Sequence, residues 1–185
     1  MRALPVVIVL AAGLGTRFRD AGGRHDKLLA PLTTAGGTHA VREHVIRAAC
    51  ASGLPWHVVE REHTRHLPEP GMGWSIATGV AATAGAPGWL ILPADLPLIQ
   101  PETLWRMACA LREHEVVLPT VRGQRGHPVG FSRACAAELL ALRGDRGARQ
   151  VIARHAAFTL ELDDLGCVQD VDTPEALALA QRHAI

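Results

Sequence analysis

Four side chains of this sequence carry the charges that handling a phosphorylated ligand requires: Arg17, Lys27, Asp95 and Asp172. The two cations follow the stretch Leu10-Ala11-Ala12-Gly13-Leu14-Gly15-Thr16-Arg17. Small residues there let backbone N–H groups approach an anion with no Cβ in the way. Arg17 adds a planar fork suited to phosphate, and Lys27 adds a point charge. The expected product is a triphosphate cradle. Asp95 stands in Pro93-Ala94-Asp95-Leu96-Pro97, where a carboxylate pinned between two prolines can hold a cation. Hard oxygen ligands suit Mg²⁺, which keeps one or two carboxylates and fills its shell with water and substrate phosphates. Asp172 lies in Asp170-Val171-Asp172-Thr173-Pro174-Glu175. It reads as a helix N-cap followed by proline, with Glu175 at the capping-box position. It also reads as a second Mg²⁺ carboxylate beside Asp95; the two roles are compatible.

Two familiar phosphate loops are excluded. A dinucleotide fingerprint needs a small residue where Phe18 stands and an acid about 20 residues on; the first acid closing a strand is Glu60. A P-loop needs Gly-Lys-Ser/Thr, whereas Lys27 lies between Asp26 and Leu28.

The elements that must position these residues follow from the apolar pattern. The run Val6 to Leu10, cut off by glycine, predicts a buried parallel strand. Residues 38–52 predict a helix with Val41, Val45, Ile46 and Ala49 on its apolar face, stopped at Gly53. Strands are predicted at 56–59, 89–92, 115–119 and 158–162. Helices are predicted from Pro101, with Leu104, Met107, Ala108 and Leu111 inward, at 138–142, and up to His155. A segment with Pro68 and Pro70 leads to Gly71-Met72-Gly73-Trp74-Ser75. Ser75 reads either as a plain N-cap or as part of a loop that reads a base edge or holds an anion. Arg125 and His127 flank Gly126 in a predicted turn and could bind an anionic acceptor, although a lone histidine in a turn is usually just solvated. Gly144-Asp145-Arg146-Gly147-Ala148-Arg149 breaks one helix and opens the next. The strand–helix alternation predicts an α/β fold, a three-layer α/β/α sandwich with a mainly parallel sheet. Ligands of such sheets sit outside the carboxyl ends of the strands, where the glycine loop and Asp95 fall.

Leu-Ala-Ala-Gly-x-Gly-x-Arg with Lys27-Leu28-Leu29, the Gly-Met-Gly-x-Ser segment, Asp-x-Pro at Asp95, Gly-His-Pro at His127 and the closing Asp-x-Asp-Thr-Pro-Glu resemble, in order, the MobA-like nucleotidyltransferases. The resemblance runs nearly end to end and implies one domain over 1–185 with the nucleotide-diphospho-sugar transferase-like (Rossmann-like) fold. It implies that Leu10, Ala11, Ala12, Gly13, Gly15, Arg17, Lys27, Gly71, Gly73 and Ser75 bind the nucleotide. Arg17, Lys27 and Asp95 would be catalytic. Arg125, His127 and Asp145 would bind the acceptor, and Asp95 and Asp172 would hold Mg²⁺. Leu-Ala-Ala-Gly with Gly-His-Pro is more similar to the cytidylyl than to the guanylyl branch. The implied reaction is CMP transfer from CTP to molybdopterin or its molybdenum-bearing form, releasing pyrophosphate, with a molybdoenzyme or its insertion chaperone downstream. Alternatives are a guanylyltransferase, a sugar- or small-phosphate nucleotidyltransferase, or a non-catalytic nucleotide-binding protein. The family usually places a further helix and strand before the Gly-Met-Gly segment. Here only about a dozen residues separate Glu60 from Met72, so one βα step is shortened or absent.

A net charge of +1 points to no nucleic-acid or membrane surface. No apolar run reaches the length of a membrane helix, and no signal peptide is evident, so a cytoplasmic enzyme is expected. Cys50, Cys109, Cys135 and Cys167 are widely spaced and read as buried free thiols. His63 and His66 read as a solvated surface pair rather than metal ligands.

Overall fold

The computed structural model describes residues 3–23, 26–67 and 71–184; Pro68 and Pro70 lie outside them. In chain order the elements are β1 (Val6–Ala11), α1 (Thr16–Asp20), β2 (Pro31–Thr34), β3 (Gly37–Ala40), α2 (Val41–Ala51), β4 (Trp56–Glu60), α3 (Arg61–Thr64) and α4 (Met72–Ala82). They continue with β5 (Gly88–Pro93), α5 (Pro101–Ala110), β6 (Val116–Val121), β7 (Gln124–Arg125), β8 (Val129–Ser132), α6 (Ala136–Leu140), α7 (Arg149–Arg154), β9 (Ala157–Glu161) and α8 (Pro174–His183).

Side chains alternate across the main sheet, and both faces are covered. Val7 and Val9 of β1, Leu90 and Leu92 of β5 and Val117 of β6 join one core with α2 and α5. Ile8, Trp89, Ile91, Val116 and Leu118 join the other, with Ile76 and Val80 of α4 and Leu139 of α6. Strands buried on both sides read as continuous apolar runs, which is why β1 and β5 are plain in the sequence. The strand order is β4-β1-β5-β8-β6-β7, with β9 also on β6. β4, β1 and β5 are mutually parallel, as are β6 and β9; β8 runs antiparallel to β5 and β6. The α/β/α sandwich is therefore as expected, with β8 and the short β7 as its antiparallel members. Helix α4 lies close on the sheet: a Cβ on Gly79 would stand 2.6 Å from Ile8 Cγ2.

Three local expectations are corrected. The helix predicted at 38–52 begins at Val41, because Gly37–Ala40 pairs with Pro31–Thr34 in an antiparallel hairpin. His44 fixes that hairpin through Nε2 and Leu32 O (2.9 Å), and Gln181 of α8 bonds both the N–H and the carbonyl of Thr33. The turn near Arg125 lies instead at Arg122-Gly123, both at positive φ, and Arg125 belongs to β7. Cys50 is exposed, whereas Cys135 and Cys167 are buried. Between β4 and α4 the described residues hold only the four-residue α3, in keeping with a shortened βα step.

An ion-paired cluster ties α6 and α7 to the start of β6. His155 Nδ1 lies 2.9 Å from Glu115 Oε2, and Nε2 lies 2.7 Å from Glu138 Oε1, which Arg154 also pairs. The hydrogen bonds to Glu115 and then Glu138 hold the His155 pKa above the ordinary histidine value. A raised folded-state pKa contributes stability that is fully present below the unfolded histidine value and lost as pH rises through the folded one. The melting-temperature difference between wild type and His155→Gln should therefore shrink as pH is raised from about 6 to about 9. Thermal melts of both proteins across that range check it.

Candidate functional site

The cavity at the carboxyl ends of β1 and β5 has a volume of about 790 Å³. β1 delivers Leu10 and the glycine loop to its rim. Ala94 N–H donates to Leu10 O at 3.1 Å, continuing the β1–β5 pairing and setting Asp95 beside that loop. Val171 N–H donates to Asp95 O at 2.8 Å, which brings Asp172 alongside. Two carboxylates 77 positions apart in the chain thus meet through one backbone bond.

Lys27 lies between them. Its Nζ is 2.6 Å from Asp95 Oδ2 and 2.5 Å from Asp172 Oδ1. Arg17 donates to the other oxygen of Asp172 at 3.0 Å, from a side chain that is 82% exposed. Burial works against the Lys27 charge, but Asp95 and Asp172 outweigh it, so its pKa is raised. Partial burial likewise opposes the Asp172 charge, and Lys27 and Arg17 outweigh it, holding that carboxyl below its ordinary value. Asp170 lines the same wall, and burial, then the charges of Asp172 and Asp95, push its pKa up.

The glycine loop is held from outside. Gly15 takes a left-handed conformation (φ 62°) as it leads into α1. A Cβ there would stand 3.3 Å from Lys27 Cγ, so glycine at this position also gives the lysine stem its path. Arg61, the first residue after β4, donates to Gly13 O at 2.6 Å and pairs with Asp26. Asp26 in turn accepts from Leu28 N–H at 3.1 Å and starts the single 3₁₀ turn carrying Lys27. Arg61 and Asp26 escaped the sequence reading, since a strut spanning 35 residues leaves no local pattern.

On the opposite side, Gly126 and His127 add to the Cys167 backbone: His127 N–H donates to Cys167 O at 2.9 Å. A Cβ on Gly126 would meet that carbonyl oxygen at 2.4 Å. Burial lowers the His127 pKa, with Asp95 and Asp170 only partly countering, and its Nδ1 is buried without a partner. Arg125, Asp145 and Arg149 also line the cavity, Arg149 as the last residue of the Gly-Asp-Arg-Gly-Ala-Arg segment. Cys167 also lines it, but burial, then Asp164, push its thiol up to about 12, so it offers no nucleophile.

Of the residues expected to bind nucleotide, Leu10, Ala12, Gly13, Gly15, Arg17, Lys27, Gly71 and Ser75 line the cavity. Ala11 and Gly73 do not: Ala11 is buried in β1. Gly73 faces the 143–146 backbone, donating its N–H to Gly144 O at 2.9 Å. A Cβ on Gly71 would stand 2.2 Å from Gly144 O. The Gly-Met-Gly segment therefore makes room for the Gly-Asp-Arg-Gly loop. Ser75 is not an N-cap; it lies inside α4 and its Oγ donates to Gly71 O at 3.1 Å. Nor is Asp172: the cap of α8 is Thr173, which accepts from Ala176 N–H, and Asp172 is left to the cations.

The model of the MobA-like NTP transferase domain matches residues 7–158, most of the chain and most of this cavity. The chain belongs to that family. It is thus a nucleotidyltransferase-family protein. It is 31% identical over 140 residues to the purine catabolism protein PucB of Bacillus subtilis, covering 70% of this chain and 68% of that one. The fold is similar to that of Rv0371c from Mycobacterium tuberculosis, with a TM-score of 0.75, 24% identity and 97% and 98% of the two chains covered; Rv0371c has also been solved as a complex with manganese. A molybdopterin-guanine dinucleotide biosynthesis protein A from Archaeoglobus fulgidus shares the fold at a TM-score of 0.70 and 16% identity, over 96% and 97% of the chains. Among the described residues no helix is long and apolar enough to cross a membrane.

The glycines should separate by role. A Cβ on Gly73 would stand 2.6 Å from Arg146 O, whereas one on Gly13 would have nothing within 4 Å. Gly73→Ala should cost about 1–3 kcal/mol of stability, and Gly13→Ala should stay within about 0.5 kcal/mol. Denaturant melts of the two variants check this.

Proposed function

We propose that this protein, as one domain over residues 1–185, transfers CMP from CTP to molybdopterin or its molybdenum-bearing form and releases pyrophosphate. The observation that carries the reading is Lys27 held between Asp95 and Asp172 on the wall of a cavity rimmed by the glycine loop. Cations for phosphates and carboxylates for a metal ion converge there within hydrogen-bond reach. The preference for CTP rests on the Leu-Ala-Ala-Gly and Gly-His-Pro sequences. His127 of Gly-His-Pro lines the cavity together with Arg125 and Arg149, whose charges suit an anionic acceptor.

An acceptor phosphate oxygen is already ionised at neutral pH. It attacks the α-phosphorus of CTP; the new P–O bond forms as the bond to the β-phosphate oxygen breaks, and pyrophosphate leaves with the electron pair. No general base is needed, so the protein's share is alignment and charge stabilisation. Loop N–H groups from Ala12 to Gly15 and the two cations hold the triphosphate. Arg125, Arg149 and His127 hold the acceptor, with Asp145 at the edge.

The donor set fits Mg²⁺: two carboxylates of one small cluster, already sharing a cation, open to a cavity that admits water and phosphate oxygens. Among the described residues no group of three or more His, Cys, Asp or Glu could hold a metal, so the rest of the shell falls to substrate and water. Bound there, Mg²⁺ would neutralise charge developing at the α-phosphate. Manganese in the complex of Rv0371c, a protein of the same fold, supports a divalent ion.

The test is pyrophosphate release with each nucleoside triphosphate, purified molybdopterin and Mg²⁺. CTP should give the highest rate; release with GTP alone would overturn the base assignment. Asp95→Ala should lower Mg²⁺-dependent release by about 10²-fold or more while the protein stays folded. Arg17→Ala should chiefly raise the KM for the triphosphate.

A further inference from the structure

The cation shared by Asp95 and Asp172 belongs to the chain itself. Lys27 Nζ sits at contact distance from one oxygen of each carboxylate, and Arg17 closes the second oxygen of Asp172. These four groups, joined in a chain by three ion pairs, sum to zero charge. Only 12% of the Lys27 side chain is accessible, against 82% for Arg17, so Lys27 is the cation that solvent screens least.

A divalent ion arriving alone meets two obstacles. It needs oxygens that an ammonium already holds, and two cations that close in a half-buried place repel several times more strongly than in water. It also leaves a balanced cluster with two uncompensated positive charges. A triphosphate removes both obstacles. Its oxygens give the ammonium new partners on the glycine-loop side, where the Lys27 stem already passes Gly15. Its negative charge balances the ion. The flexible four-carbon stem of lysine makes such a transfer short. Asp170, the next carboxylate on this wall, makes no ion pair with Lys27 and does not replace either partner.

We infer that Lys27 is a built-in placeholder cation: it closes the Asp95–Asp172 pair to a free divalent ion and yields it only when a triphosphate takes the ammonium, so that ion and nucleotide enter as one complex. This rests on the reading of the cavity as a nucleotidyltransferase site.

Mn²⁺ takes the same oxygen ligands and is visible by electron paramagnetic resonance. The test titrates Mn²⁺ alone into the full chain. Wild type should bind it weakly. Lys27→Met should bind it about tenfold or more tightly, Lys27→Gln should do the same, and Lys27→Arg should stay weak. Asp95→Asn added to Lys27→Met should reverse the gain. The two neutral variants guard against one failing to fold. Tight Mn²⁺ binding by wild type alone, or no gain in a folded neutral variant, overturns the placeholder. Pyrophosphate release by wild type is read separately: a protein that releases it yet binds Mn²⁺ tightly alone refutes this inference and leaves the proposed function standing. A protein that releases none, yet gains Mn²⁺ affinity on loss of the lysine charge, does the reverse.

Discussion

One ammonium between two carboxylates governs the architecture of this cavity. Lys27 links the segment after the glycine loop to the turn after β5 and to the segment before α8. These three pieces lie 68 and 145 residues apart along the chain. Breaking a fully buried ion pair by removing one partner costs about 3–5 kcal/mol, because the other charge is stranded. Asp172 is 28% exposed, so solvent screens part of that cost here. The arrangement is stable enough to preorganise the site and open enough to be exchanged for a ligand. The same balance explains why the cluster sits at the strand ends rather than in either core.

Around the cavity, main chain packs close on main chain. Gly71 and Gly73 against the 143–146 loop, and Gly126 against Cys167, leave no room for a Cβ because another backbone passes within reach. These contacts weld segments that look independent in the sequence. The Gly-Met-Gly segment and the Gly-Asp-Arg-Gly loop form one packed unit, so a change in either alters the cavity wall that both contribute to. The Arg61–Asp26 pair does similar work for the glycine loop, holding the Gly13 carbonyl while the loop lines the cavity.

The central strands and the charged residues were legible because their signals are local. A β-branched run ending in Gly13 and Gly15, and a carboxylate between Pro93 and Pro97, announce themselves over a few residues. The hairpin of β2 and β3 was not legible. Its strands are four residues each, polar and glycine-bounded, and it is held by His44 and Gln181 from other elements. Proline and Glu175 suit a cap at Asp172, but Thr173 can cap as well, and it is Thr173 that accepts from Ala176 N–H. Arg149 and Arg61 are two arginines among many; only the fold shows that Arg149 lines the cavity and that Arg61 braces the glycine loop from outside it. The shortened step between β4 and α4 was visible as a simple residue count.

A charge-balanced cluster that takes a triphosphate and a divalent ion together should be stabilised more by the two than by either alone. Thermal stabilisation by CTP, GTP, ATP and UTP, each with and without Mg²⁺, tests it most directly, because a ligand that binds the native state raises its melting temperature. A large shift is expected for CTP with Mg²⁺, a smaller one for CTP alone and almost none for Mg²⁺ alone. The absence of a shift with every triphosphate, with or without the ion, would contradict it.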